Sequence, residues 1–141
     1  MMTKILIVDD QKNKVDTLVS LIQKIGQIEI VTPIIPRQIR GYFPDKETVM
    51  QFLAQTPDLS VFAAIFQDRN LGDCYGEDLL PIYRGRGYKG PIIAFTASDW
   101  EKYKEYIESD KRNGFTDVFP WGKGTNEQEQ LEFLRKYLSS S

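Results

Sequence analysis

Five short apolar runs, each followed by a stretch of helical spacing, constrain this chain more than any other feature. The runs are KILIVDD from Lys4 to Asp10, IEIVTPII from Ile28 to Ile35, SVFAAIFQD from Ser60 to Asp68, GPIIAFTAS from Gly90 to Ser98, and GFTDVFP from Gly114 to Pro120. Unbroken branched and aromatic runs of this length suit strands covered on both faces rather than strands with one wet face. Parallel neighbours cannot be joined by a hairpin and need a crossover, and helical crossovers cover both faces of the sheet. The expected fold is therefore α/β, a five-stranded doubly wound parallel sheet in a three-layer sandwich, with strand order 2-1-3-4-5.

The intervening segments carry the helical signals. Val15, Leu18, Val19 and Ile22 form one stripe, closed by Gly26. Val49, Phe52 and Leu53 form a second, and EDLLPIYR reads as a short helix with Pro81 near its first turn. Trp100, Tyr103 and Ile107 follow a capping-box spacing of Ser98 and Glu101, and Leu131, Leu134 and Leu138 follow one of Thr125 and Gln128. The proline-rich stretch from Thr32 to Asp45 breaks the rhythm, since Pro33, Pro36, Gly41 and Pro44 forbid a long regular element. It reads as an extended loop within a single domain spanning 1–141, with no output domain attached.

Composition removes several function classes. A net charge of -2, from 18 basic and 20 acidic residues spread along the chain, gives no cationic field for a phosphate backbone, so nucleic acid is not an expected partner. One cysteine, Cys74, excludes an internal disulfide and any multi-thiolate zinc site. Neither a membrane-length apolar stretch nor a secretory leader is present, and a cytoplasmic location is expected. The chain has no histidine, which removes imidazole bases, imidazole metal ligands and the triads built on them.

The acids that remain fall in an instructive place. Ligands of open doubly wound sheets bind at the carboxyl ends of the strands beside the point where strand order reverses, here between strands one and three. Asp9 and Asp10 end strand one and Asp68 ends strand three. Each aspartate alone reads as an ordinary cap or turn former, but three together in a partly desolvated crevice repel one another unless a cation sits among them or some are protonated. All-oxygen ligands favour a hard ion, and a shallow site that keeps waters suits Mg2+. Thr96, at the end of strand four, offers a hydroxyl to a phosphoryl oxygen, and Lys123, beyond strand five, offers positive charge to the same oxygens.

KILIVDDQ, FQDRNLGDCYGEDLL, PIIAFTAS and NGFTDVFP, in this order, resemble the receiver domain of two-component response regulators, in particular the stand-alone CheY-like kind with its flavodoxin-like fold. The resemblance covers nearly the whole chain. It implies that Asp68 is the phospho-accepting aspartate and that Asp9 and Asp10 hold magnesium with it. It further implies that the backbone carbonyl of Asn70 is a metal ligand, that Thr96 is the switch hydroxyl, and that the Ala97 N–H approaches the phosphoryl group. Three departures accompany it. Where the family has lysine then proline after strand five, the count reaches Trp121 and Gly122, with Lys123 two positions late. The switch aromatic falls at Val118, with Phe119 beside it. The segment between Asp10 and Asp68 is about a dozen residues longer than the family norm.

The expected function is that of a receiver accepting a phosphoryl group on Asp68 with Mg2+ and signalling through protein contacts. It is a phosphoacceptor with at most slow self-dephosphorylation rather than an enzyme. A histidine kinase or histidine phosphotransfer protein is the expected donor, an unidentified protein the downstream partner, and a monomer or weak dimer the expected state. The alternative is a pseudo-receiver, a protein-binding module that is not phosphorylated, motivated by Trp121. A phosphohydrolase using an aspartyl-phosphate stands further back, because Asn70 occupies the position where its second aspartate belongs.

Overall fold

The structure is a computed structural model that describes residues 3–33, 46–71, 74–96 and 99–138. Among these, β1 (Thr3–Val8), β2 (Ile28–Val31), β3 (Phe62–Asp68), β4 (Ile92–Phe95) and β5 (Asp117–Val118) form one sheet in the order β2-β1-β3-β4-β5. Every neighbouring pair is parallel, as the five apolar runs require. The helices are α1 (Lys12–Gln23), α2 (Lys46–Ala54), α3 (Leu80–Gly85), α4 (Trp100–Tyr103), α5 (Ile107–Arg112) and α6 (Glu127–Leu138).

Two apolar layers, one on each face, hold the sheet. Leu6, Val8, Ile65, Ile92 and Ala94 pack with Val49, Leu53, Leu80, Tyr83 and Tyr103 on one side. Ile5, Ile7, Phe66, Ile93 and Phe95 pack with Val15, Leu18, Ile22, Phe119, Leu134 and Leu138 on the other. β1 shows why: its successive side chains alternate between the two layers, and every residue from Ile5 to Val8 is fully buried. The buried acids Asp9, Asp10 and Asp68 stand where these strands run out of apolar residues.

Several boundaries differ from the sequence expectation. β5 is far shorter than GFTDVFP: the Thr116 N–H donates to Ile92 O at 2.8 Å and the Phe119 N–H to Ala94 O at 2.9 Å, after which Pro120 has no N–H to continue the ladder. The crossover between β4 and β5 is not one helix but α4 and α5 joined by a 3-10 turn, Lys104–Tyr106. At the start of α6, Asn126 rather than Thr125 caps, its Oδ1 accepting from the Glu129 N–H at 2.9 Å. Most of the proline-rich loop, 34–45, lies outside the described residues, as do Ala97 and Ser98.

Candidate functional site

Val8 is the last residue of β1, so Asp9 and Asp10 emerge together at the carboxyl end of the sheet; Asp68 is the last residue of the adjacent β3. One carboxylate oxygen from each of Asp9, Asp10 and Asp68 lies within 4.8 Å of the others, and all three residues are buried. Thr96 follows directly on Phe95, the register partner of Asp68, and is buried at the same rim.

The acids are held by backbone donors. The Gln11 N–H donates to Asp9 Oδ1 at 2.8 Å and the Asn70 N–H to Asp68 Oδ1 at 3.2 Å. Burial, reinforced by the charge of Asp9, pushes the Asp68 carboxyl from 3.8 up to about 7, against the opposing pull of Lys14 and the Asn70 N–H. Burial likewise raises the Asp9 carboxyl above its ordinary value, opposed by Lys14 and the Gln11 N–H.

The cation at this cluster is Lys14, which the sequence reading passed over. Its Nζ stands 2.7 Å from Asp9 Oδ2 and 3.5 Å from Asp68 Oδ1, with the side chain 4% exposed. It also lies over the Phe95 ring, 4.8 Å from the centroid. The sequence held a signal for it: Lys14 is four residues before Leu18, on the apolar stripe of α1, where a lysine has no reason to sit without anionic company.

Lys123 takes a different position. Its side chain is 76% exposed and pairs with Glu101 at 3.7 Å. Its segment is laced to the head of α4: the Trp100 N–H donates to Trp121 O at 2.8 Å, the Glu101 N–H to Lys123 O at 2.9 Å, and the Lys123 N–H to Asp99 Oδ1 at 3.1 Å. Gly124 permits this approach, with φ +103 and a Glu101 N only 2.7 Å from where its Cβ would stand. Phe119 is fully buried, edge-on to Phe66, Phe95 and Phe133. Val118 is buried in the opposite layer.

The loop after Asp68 folds back on the strand end. The Leu71 N–H donates to Cys74 O at 3.0 Å and the Gly76 N–H to Arg69 O at 2.7 Å. A Cβ on Gly76 would stand 1.9 Å from the Asp68 carbonyl oxygen, so only glycine fits. Arg69, next to Asp68, lies 3.2 Å from Asp110 Oδ1 and over the Tyr103 ring at 4.9 Å, while the Tyr103 hydroxyl donates to Asp110. Sequence reasoning missed this buried group as well, because nothing in the spacing of Arg69 and Asp110 relates them.

The acid cluster fits a hard divalent ion. Its donors are all oxygen and are buried together, with the Lys14 ammonium 2.7 Å from Asp9 Oδ2. Against Lys14, three ionised carboxylates leave two negative charges uncompensated, which a divalent ion matches.

No protein-family model matches the sequence, and no curated protein matches it. Solved structures do. The chain is similar to the response regulator DrrB of Thermotoga maritima, with a TM-score of 0.60 at 21% identity over 98% of this chain and 53% of that one. It is similar to the chemotaxis response regulator CheY4 of Vibrio cholerae, with 0.66 at 22% over 98% and 100%. It is similar to the receiver domain of the sensor histidine kinase PA1611 of Pseudomonas aeruginosa, which has a magnesium ion coordinated in its active-site cleft, with 0.63 at 18% over 99% and 100%. The fold is thus the CheY-like, flavodoxin-like fold of response-regulator receiver domains.

Proposed function

We propose that this chain is a receiver of two-component signalling that accepts a phosphoryl group on Asp68. The observation that carries the reading is the convergence of Asp9, Asp10 and Asp68 within 4.8 Å, buried at the carboxyl ends of two adjacent strands. Asp9, Asp10, Asp68 and the Asn70 carbonyl would hold Mg2+, which supplies charge neutralisation at the transferred oxygens. Asp68 is the nucleophile. Thr96, buried at the next strand end, would donate its hydroxyl to a phosphoryl oxygen. The chain has no histidine, so the group comes from outside, from a histidine kinase or histidine phosphotransfer protein. Output passes through protein contacts.

Intact mass after incubation with magnesium and acetyl phosphate, or with a phosphohistidine donor, tests this. One added phosphoryl group, lost in Asp68→Asn, is expected. A second reading, a pseudo-receiver that is never phosphorylated, is motivated by the resemblance, whose count brings Trp121 to the place of the strand-five lysine; the indole packs against Phe95, ring centroids 5.2 Å apart. No gain of mass with any donor selects that reading.

A further inference from the structure

Resting on the receiver reading, we propose that Lys14 of α1 is the lysine that binds the phosphoryl group, replacing the cation that receivers draw from the end of strand five. The geometry that assigns it is direct. Its ammonium already touches both the nucleophile and a metal-site acid, at 3.5 Å from Asp68 Oδ1 and 2.7 Å from Asp9 Oδ2.

Its place on the helix makes this reach natural. Side chains of an α-helix lean toward its N-terminus, and Lys14 is in the first turn of α1, so its stem runs back toward the strand ends. Lys12, in the same turn, points outward and pairs with Asp16 at 2.6 Å, so the arrangement is specific to one lysine. A buried ammonium is costly unless it is well partnered. Here its partners are two carboxylates and the face of Phe95.

On the strand-five side stands an indole rather than a cation. Trp121 stands edge-on to Phe95, and Phe95 in turn lies beneath the Lys14 ammonium. The indole thus buttresses the ring on which Lys14 rests. Lys123 faces solvent and Glu101.

The step balances without a proton. A carboxylate oxygen of Asp68 forms the new O–P bond, and the P–O bond to an acyl donor breaks with its electron pair leaving on the departing carboxylate. Lys14 donates N–H to an equatorial oxygen of the group in transit, moving off Asp68 Oδ1 as that oxygen is used or crowded. The cation neutralises charge where it is spread in the transition state.

The full-length chain is compared with Lys14→Met, Lys14→Arg, Lys12→Met and Lys123→Ala, using acetyl phosphate with magnesium and intact mass for the rate. Binding of beryllofluoride and of magnesium alone, each read by tryptophan fluorescence, provides measurements independent of turnover. Lys14→Met is expected to slow phosphorylation about a hundredfold and to abolish beryllofluoride binding. The same variant keeps or tightens magnesium binding, because a competing cation has gone. Lys14→Arg recovers part of the rate, and Lys12→Met matches the parent chain.

Phosphorylation of Lys14→Met at the parent rate, or a loss found in Lys123→Ala instead, overturns the assignment while leaving Asp68 as acceptor. Parallel loss of magnesium binding without rescue by arginine overturns it too, since Lys14 would then only hold the acids in place. Should Lys14→Met not fold, Lys14→Gln takes its place, and a parent-like rate there is equally decisive. A parent chain that takes up neither phosphoryl nor beryllofluoride overturns the receiver reading itself, and this assignment with it.

Discussion

Phe95 contacts two groups of different kinds: the Lys14 ammonium sits 4.8 Å over its ring, and Trp121 packs perpendicular to it with centroids 5.2 Å apart at 90°. An event at the acid cluster is therefore one aromatic ring away from an indole. In a Trp100→Phe background, magnesium or beryllofluoride should change the emission of Trp121, and Trp121→Phe should remove the response. Emission that ignores both ligands while calorimetry detects their binding would separate the indole from the site.

The raised Asp68 carboxyl has a defined consequence for stability. The unfolded group ionises near 3.8 and the folded one near 7, so the folded state retains a proton that the unfolded state gives up in between. Stability from this group is full below the lower value and is lost as pH rises through the upper one. Without divalent ions, chemical denaturation should show stability falling from about pH 4 to about pH 7, with Asp9 acting in the same direction. Asp68→Asn should flatten that slope and stabilise the chain by about 1–3 kcal/mol at about pH 8. A steeper decline in the variant would contradict the assignment.

Magnesium should reverse the same penalty. At saturating ion above neutral pH the midpoint of thermal unfolding should rise by several degrees, equivalent to about 2–3 kcal/mol. In Asp9→Asn or Asp10→Asn the gain should shrink, and Asp16→Asn, an exposed residue paired with Lys12, should keep it.

Gly76 is tied to Asp68 by shape. Its Cβ position lies 1.9 Å from the Asp68 carbonyl oxygen and 3.1 Å from Arg69 Cα, both backbone atoms that cannot swing aside. Gly76→Ala should cost about 2–4 kcal/mol and reduce phosphorylation together with magnesium binding. Denaturant melts beside the mass measurement check both.

Asp110 is fully buried, with Tyr103 and Arg69 as its partners. Tyr103→Phe should cost about 1–3 kcal/mol, because the carboxylate keeps only its guanidinium. Arg69→Met should cost about 3–5 kcal/mol by leaving a buried charge uncompensated. A smaller loss for Arg69→Met than for Tyr103→Phe would mean that the hydroxyl, not the cation, carries the charge.

The parts legible in the sequence were those fixed by a single local rule. KILIVDD declares a buried strand that ends in acid because its apolar residues are consecutive and then stop, and FAAIFQD does the same. The meeting of Asp9, Asp10 and Asp68 follows from strand order, which the crossover rule restricts to few choices. What escaped was decided by neighbours in space. Lys14 sits on the α1 stripe four residues before Leu18, but its spacing does not name its partners, and only the approach of Asp9 and Asp68 at the strand ends makes it a member of the cluster. Lys123 looked like the nearer cation by count, but the glycine on its C-terminal side lets the chain lie against α4 and turns its side chain outward. β5 was overextended because a run that pairs on one side only, and meets Pro120, stops earlier than its apolar content suggests.

The stitching of 121–123 onto Asp99, Trp100 and Glu101 makes a single plate from two loops that the sequence holds more than twenty residues apart. The head of α4 and the segment 121–123 share these hydrogen bonds directly. A tug at one hem of that plate is delivered to the other, so a protein that grips α4 and one that grips α6 are feeling the same piece of the molecule.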